Sequence, residues 1–306
     1  MAQGRAVPAA GVRRPPLRTA LALTVCVAAL EFGGGLAAHS LALVADSAHV
    51  LMDAIALAIA VVASIGAQRP ANERQSYGFA RFEILAALAN GGLLFAVAIL
   101  IAVAAIGRFA APALPQGGLM ALVAAVGCAT NAGIGWSLAY DSHRDLNVRA
   151  AFLHVVTDAL GAVAVAAGGL VILATGAAWI DPALSLAVAG VIVFGVTGIV
   201  RESADVLLQS APAHASIKTV RERMRAVQGV VDVHDLHVWS IGSGSHVLSA
   251  HVLLADARIS EATAILRGLE RRLSEDFAID HVTIQFECES CDASDRIICT
   301  QPSRER

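Results

Sequence analysis

Residues 41–67 read LALVADSAHVLMDAIALAIAVVASIGA. No Lys, Arg, Glu or Pro breaks the run, and its only ionisable side chains are Asp46, His49 and Asp53. A spanning helix needs about 20 mostly apolar residues, so this stretch is long enough to cross a bilayer. Ionisable groups at that depth are expensive and point to function unless they satisfy one another. His49 and Asp53 are four residues apart and so lie one above the other on a single helix face. The same spacing returns in HVVTD, residues 154–158, where His154 precedes Asp158. Two such faces turned together offer two imidazoles and two carboxylates, a ligand set that tetrahedral Zn²⁺ accepts. One pair alone could be polar residues of a bundle interior bonded to each other. Its repetition in a separate span favours a metal site.

The rest of the chain fits a membrane setting. Of its 306 residues 57% are hydrophobic and 15% charged, with a mean hydropathy of +0.67. A soluble domain of this size would carry roughly a quarter charged residues. Six apolar segments follow one another, at about 17–37, 41–67, 82–109, 117–140, 150–174 and 180–200. The first could be mistaken for a signal peptide, but further apolar segments follow it at once, so it reads as a first span. Arg5, Arg13, Arg14, Arg18, Arg69, Arg74, Arg81, Arg144, Arg149 and Arg201 alternate with the spans to fall on one side, leaving Arg108 on the other. The positive-inside rule then places both termini in the cytoplasm. A net charge of −3 and the lack of a basic stripe argue against a nucleic-acid partner. Short loops and an Ala-rich composition suggest a bacterial inner membrane.

From about residue 203 the composition becomes that of a soluble domain. A charged helix at 215–227, strands at 230–240 and 245–255 joined by Gly242-Ser243-Gly244, an amphipathic helix at 260–277 and a strand at 280–287 are expected. The order α-β-β-α-β predicts an α+β module of ferredoxin-like kind. Strict alternation would put His234, Leu236 and Val238 on one face of the first strand and Asp235, His237 and Trp239 on the other. The division is therefore a cytosolic tail at 1–16, a six-helix membrane bundle at 17–204, a cytosolic domain at 205–290 and a tail at 291–306. Cys26 and Cys128 sit among apolar residues, where buried inert thiols are expected. Cys288-Glu289-Ser290-Cys291 is one Cys-x-x-Cys turn, where metal binding and free thiols are both open, and Cys299 is a weaker candidate.

The chain resembles the cation diffusion facilitator family over nearly its whole length. The resemblance rests on SLALVAD (40–46) leading into the first His-Asp pair, SYGFARFEILAA (76–87), DLNVRAAFLH (145–154), WIDP (179–182) and HDLHVWS (234–240). It implies a homodimeric metal/proton antiporter that lowers cytosolic metal, with His49, Asp53, His154 and Asp158 at the transport positions. His at position 49 looks like the zinc-type members, since manganese- and iron-type members usually carry a carboxylate there. Cd²⁺ and Co²⁺ remain conceivable cargo. In relatives, positions matching His234 and His251 bind cytosolic metal, Glu287 matches a carboxylate ligand, and Cys-bearing tails like Cys288 and Cys291 reach the partner's site. His237 and His281 are expected to be non-ligands. Residues 70–76 lack the ligands of an auxiliary loop site, and the loop near His143 lacks a His-rich insert, so no auxiliary site is expected in either.

Some polar residues stay open between two roles. Asp46 and Asn147 could support the metal site or serve packing and capping. Glu31 could be an interhelical hydrogen-bond partner or part of a proton path. Asp181 reads as a helix-start residue near the outer surface. Two rival functions are conceivable. A membrane metalloenzyme would need an open coordination position and a base, as in His-Glu-x-x-His, and no such motif occurs. A membrane metal sensor or scaffold that does not transport would leave the doubled pair without a task.

Overall fold

The computed structural model describes residues 17–139, 146–242 and 244–288. The expected tails at 1–16 and 291–306, and with them Cys291, Cys299 and His143, lie outside the described residues. Six apolar helices come first: α1 (Leu17–Ala37), α2 (Leu41–Ala67), α3 (Arg81–Ala110), α4 (Gly117–Ala139), α5 (Leu146–Thr175) and α6 (Ile180–Leu207). The helices α2 to α6 are long and apolar enough to cross a membrane, while the apolar part of α1, Ala22–Ala37, is shorter. α5 begins earlier than its apolar segment, and α6 runs past Val200 into Glu202 and Asp205, because polar helix ends need no apolar surroundings.

The chain divides into two compact units, one holding Met1–Ala58 with Gly92–Val196 and the other Ile59–Gly91 with Thr197–Arg306. In the first unit, Ala38, Ala42, Leu43, Met120, Val123, Ala124, Val165 and Ile172 form one buried cluster. α4 and α5 approach backbone to backbone. A Cβ placed on Gly169 would lie 2.8 Å from Ala121 N and from Gly117 O. Small residues allow such contact where lipid gives no hydrophobic drive between helices. Gly169→Leu should therefore destabilise the bundle by about 3 kcal/mol through overpacking. A thermal unfolding midpoint in detergent equal to that of the unmodified protein would contradict this.

The turn between α1 and α2 is defined by hydrogen bonds. His39 adopts a left-handed φ of 54°. Its N–H donates to Leu36 O and that of Ser40 to Gly35 O, the paired bonds of a Schellman motif. Ser40 then caps α2, its Oγ accepting from Leu43 N at 3.2 Å.

In the second unit, α7 (Ile217–Arg225), β1 (Val230–Gly242), β2 (Ser245–Leu254), α8 (Ile259–Phe277) and β3 (Ile279–Glu287) give the expected α-β-β-α-β order. The sheet runs β1-β2-β3, with β1 antiparallel and β3 parallel to the central β2. Val220, Met224, Leu269, Leu273 and Phe277 from the helices pack with Val233, Leu236, Val238, Leu248, Ala250 and Val252 in one core. Strict alternation along β1 fails. The register shifts between His234 and His237, and Asp235 sits at φ 47°. This bulge inserts an extra residue, so Val233, Leu236 and Val238 all enter the core while His234 does not share their face. Elsewhere in the unit, the His214 and His246 rings meet edge to face at 4.9 Å. Burial, with His214 beside it, holds His246 below the ordinary imidazole range.

Candidate metal centres

The four intramembrane candidates come together from two helices. On α2, His49 Nε2 lies 3.7 Å from Asp53 Oδ2, and on α5 His154 Nε2 lies 3.6 Å from Asp158 Oδ2. Across the helices, Asp53 Oδ2 is 3.3 Å from His154 Nε2, and the two imidazole centroids are 6.4 Å apart. Asp53 Oδ2 thus stands between both rings. It is buried, as is His49 Nδ1, and neither atom has hydrogen-bond geometry to any partner. Buried polar atoms are normally satisfied, so unpartnered ones in a cluster of donors suit an ion that would take them as ligands.

The supporting residues fall into distinct places. Asp46 is buried, with Oδ1 facing the α5 backbone at Gly161. Glu31 is buried in the space left by Gly127 of α4, where a Cβ would collide with its carboxyl group. Its Oε2 has no hydrogen-bond partner among the described residues. Asp181 does start α6, but its carboxylate serves a different helix. It accepts from Leu41 N at 2.9 Å, Ala42 N at 3.1 Å and Ser40 Oγ at 2.6 Å. Nothing in the local sequence around Asp181 signals that bond set.

On the sheet, His234 and His251 are register partners, and Leu253, two residues along β2 from His251, pairs with Glu287. Their donors converge. His234 Nε2 lies 3.0 Å from Glu287 Oε2, and His251 Nδ1 lies 2.9 Å from Glu287 Oε1. The three ligand atoms lie within 4.8 Å of one another. His234 Nε2 is buried but not aligned for a hydrogen bond. Two imidazole nitrogens and a carboxylate fit a divalent metal such as zinc, leaving room for a fourth ligand. Asp235, turned by the bulge, adds a carboxylate 3.6 Å from His251 Nε2 and 3.2 Å from His237 Nε2. Only the broken alternation, invisible in the sequence, brings it there. Cys288 follows as an exposed free thiol. His281 instead meets the ring of Tyr77 at 5.4 Å.

Residues 17–208 match the family model of the cation efflux transmembrane domain, and residues 212–289 that of the cation efflux protein cytoplasmic domain. The chain is 40% identical over 280 residues to the metal cation efflux system protein CzcD of Cupriavidus metallidurans, covering 91% of this chain and 88% of that one. It is 35% identical over 280 residues to a cadmium, cobalt and zinc/H(+)-K(+) antiporter of Bacillus subtilis, covering 90% and 89%. Identity to the zinc transporter ZitB of Escherichia coli is 35% over 268 residues, covering 87% and 85%. A solved metal-bound C-terminal domain of the Cupriavidus metallidurans CzcD transporter is 37% identical, covering 24% of this chain and 99% of its own, at a TM-score of 0.22.

Proposed function

The chain belongs to the cation efflux, or cation diffusion facilitator, family, and from that premise we propose that it exports zinc across a membrane in exchange for protons. A multi-pass membrane transporter of divalent metal is what the family and its five long apolar helices support. The finer reading adds α1 as a sixth span, both termini in the cytoplasm, a homodimer, a ferredoxin-like cytosolic module and a bacterial inner membrane. Zinc is the favoured cargo, with Cd²⁺ and Co²⁺ as further substrates, since relatives bear the names of zinc, cadmium and cobalt carriers.

One observation supports the proposal: Asp53 Oδ2 stands buried between His154 and His49, within ion-pair distance of both but aligned for a hydrogen bond with neither, joining the α2 and α5 pairs into one donor set. Two carboxylates neutralise the charge of a dication in a low-dielectric site. Imidazoles must be neutral to bind it, so metal arriving displaces protons and protons arriving displace metal. Without thiolates the set holds zinc less permanently than a Cys₄ centre, as a carrier requires. The test is zinc uptake by proteoliposomes under an imposed pH gradient, read together with counter-movement of protons. Gradient-driven zinc uptake with matching proton flux is expected. Zinc binding without uptake would favour the rival reading of a membrane sensor.

The cytosolic group His234, His251 and Glu287, extended by Cys288 and Cys291, is read as a regulatory zinc site. It would report cytosolic metal and tighten the dimer. His234→Ala with His251→Ala should lower bound zinc by one ion per protomer and leave the intramembrane ion in place. Unchanged zinc content, measured by elemental analysis of the purified protein, would remove this site.

A further inference from the structure

The start of α2 is held by an unusual concentration of bonds to one carboxylate. Asp181, fully buried at the start of α6, accepts the first two amides of α2, from Leu41 and Ala42, and the hydroxyl of Ser40. Ser40 Oγ takes the third amide, from Leu43. Arg108, at the end of α3, reaches the same carboxylate at 3.3 Å and also donates to His39 O in the turn before α2. Ser185 Oγ donates to the backbone carbonyl of Asp181, tying the residue into its own helix. Three helices therefore meet at one buried anion.

A cap of this kind is ordinarily supplied by the helix's own first residue, as Ser40 does here. A second cap donated from another helix does something more. Two amides fixed to the two oxygens of a single carboxylate set the rotation of α2 about its axis as well as its height. His49 lies eight residues beyond Leu41, about 12 Å along a rigid helix. Rotation at the start of α2 therefore decides whether His49 and Asp53 face His154 and Asp158. The metal-binding half on α2 has no other charged tie to α3 or α6 among the described ion pairs.

We propose that Asp181 is a positioning residue for transport: its carboxylate fixes the rotation of α2 against α3 and α6 and so aims His49 and Asp53 at the pair on α5. This rests on the reading that the intramembrane site carries zinc. A residue 141 positions away from Ser40 would thereby control metal affinity without touching the metal.

The test uses the full-length protein in proteoliposomes, with zinc as the probe. Equilibrium zinc affinity is measured in parallel on a His234→Ala, His251→Ala background. Asp181→Asn keeps the volume but cannot accept both amides. It should raise both KM and the zinc Kd about tenfold, a charge-assisted bond's worth, while Vmax per inserted molecule changes less than about threefold. Arg108→Gln and Ser40→Ala each remove one bond to the carboxylate and should raise KM about threefold. A role confined to stability would lower the amount of inserted protein and leave KM and Kd per molecule unchanged, and that result would overturn the proposal. If Asp181→Asn does not insert, unchanged KM in both Arg108→Gln and Ser40→Ala would overturn it equally. Absence of uptake by the unmodified protein would instead sink the transport reading itself.

Discussion

Asp53→Ala should abolish gradient-driven zinc uptake while the protein still folds and inserts. Asp53 Oδ2 is the atom that both rings approach, at 3.3 Å from His154 and 3.7 Å from His49. Its loss removes one of four donors and one of the two negative charges that offset a dication. Replacing a residue that merely supports a ligand already costs about 10–100-fold in metal affinity, so losing the ligand should cost at least about 100-fold in uptake rate. Asp53→Asn should behave almost as badly, because the amide keeps the shape and drops the charge. Uptake above a tenth of the unmodified rate in either variant would contradict the role given to Asp53.

His49→Asp should change which metal is carried. The site would then offer one imidazole and three carboxylates. Imidazole suits zinc, whereas carboxylate oxygens suit harder ions such as Mn²⁺. The ratio of zinc to manganese uptake should fall by at least about tenfold, through a loss of zinc transport and a relative gain for manganese. Competition between the two ions in one set of vesicles reads the ratio directly. A ratio unchanged from the unmodified protein would mean that His49 does not choose the cargo.

The membrane helices were legible because hydropathy and length decide them. α1 and α2 have the bounds read from the sequence, α3 is one residue longer at each end, and α4 agrees as far as the described residues reach. The doubled His-x-x-x-Asp spacing likewise puts each His and its Asp on one face of its own helix, since 3.6 residues per turn leave little freedom; that the α2 and α5 faces meet is a tertiary contact. What stayed hidden depends on contacts between distant segments. Asp181 looked like the first-turn acid of its own helix, and nothing local says that its carboxylate reaches back to Leu41 and Ala42. The β1 bulge was hidden for another reason. Asp tolerates the left-handed region better than most residues, so Asp235 at φ 47° leaves no glycine to betray it. Alternation then assigned His234 to the wrong face, although the pairing of His234 with His251 follows from the hairpin turn and was within reach.

The metal's own surroundings report most directly on which residues hold it. Zinc X-ray absorption of the full-length protein carrying His234→Ala and His251→Ala isolates the intramembrane ion from the cytosolic one. One zinc per protomer is predicted, with imidazole nitrogens and carboxylate oxygens at about 2.0 Å and no sulfur. The same spectrum should lose its imidazole signature when His49 and His154 are replaced by alanine. A protein that binds no zinc once the cytosolic ligands are gone, or one whose zinc spectrum ignores those two histidines, would contradict the claim that His49, Asp53, His154 and Asp158 hold the transported ion.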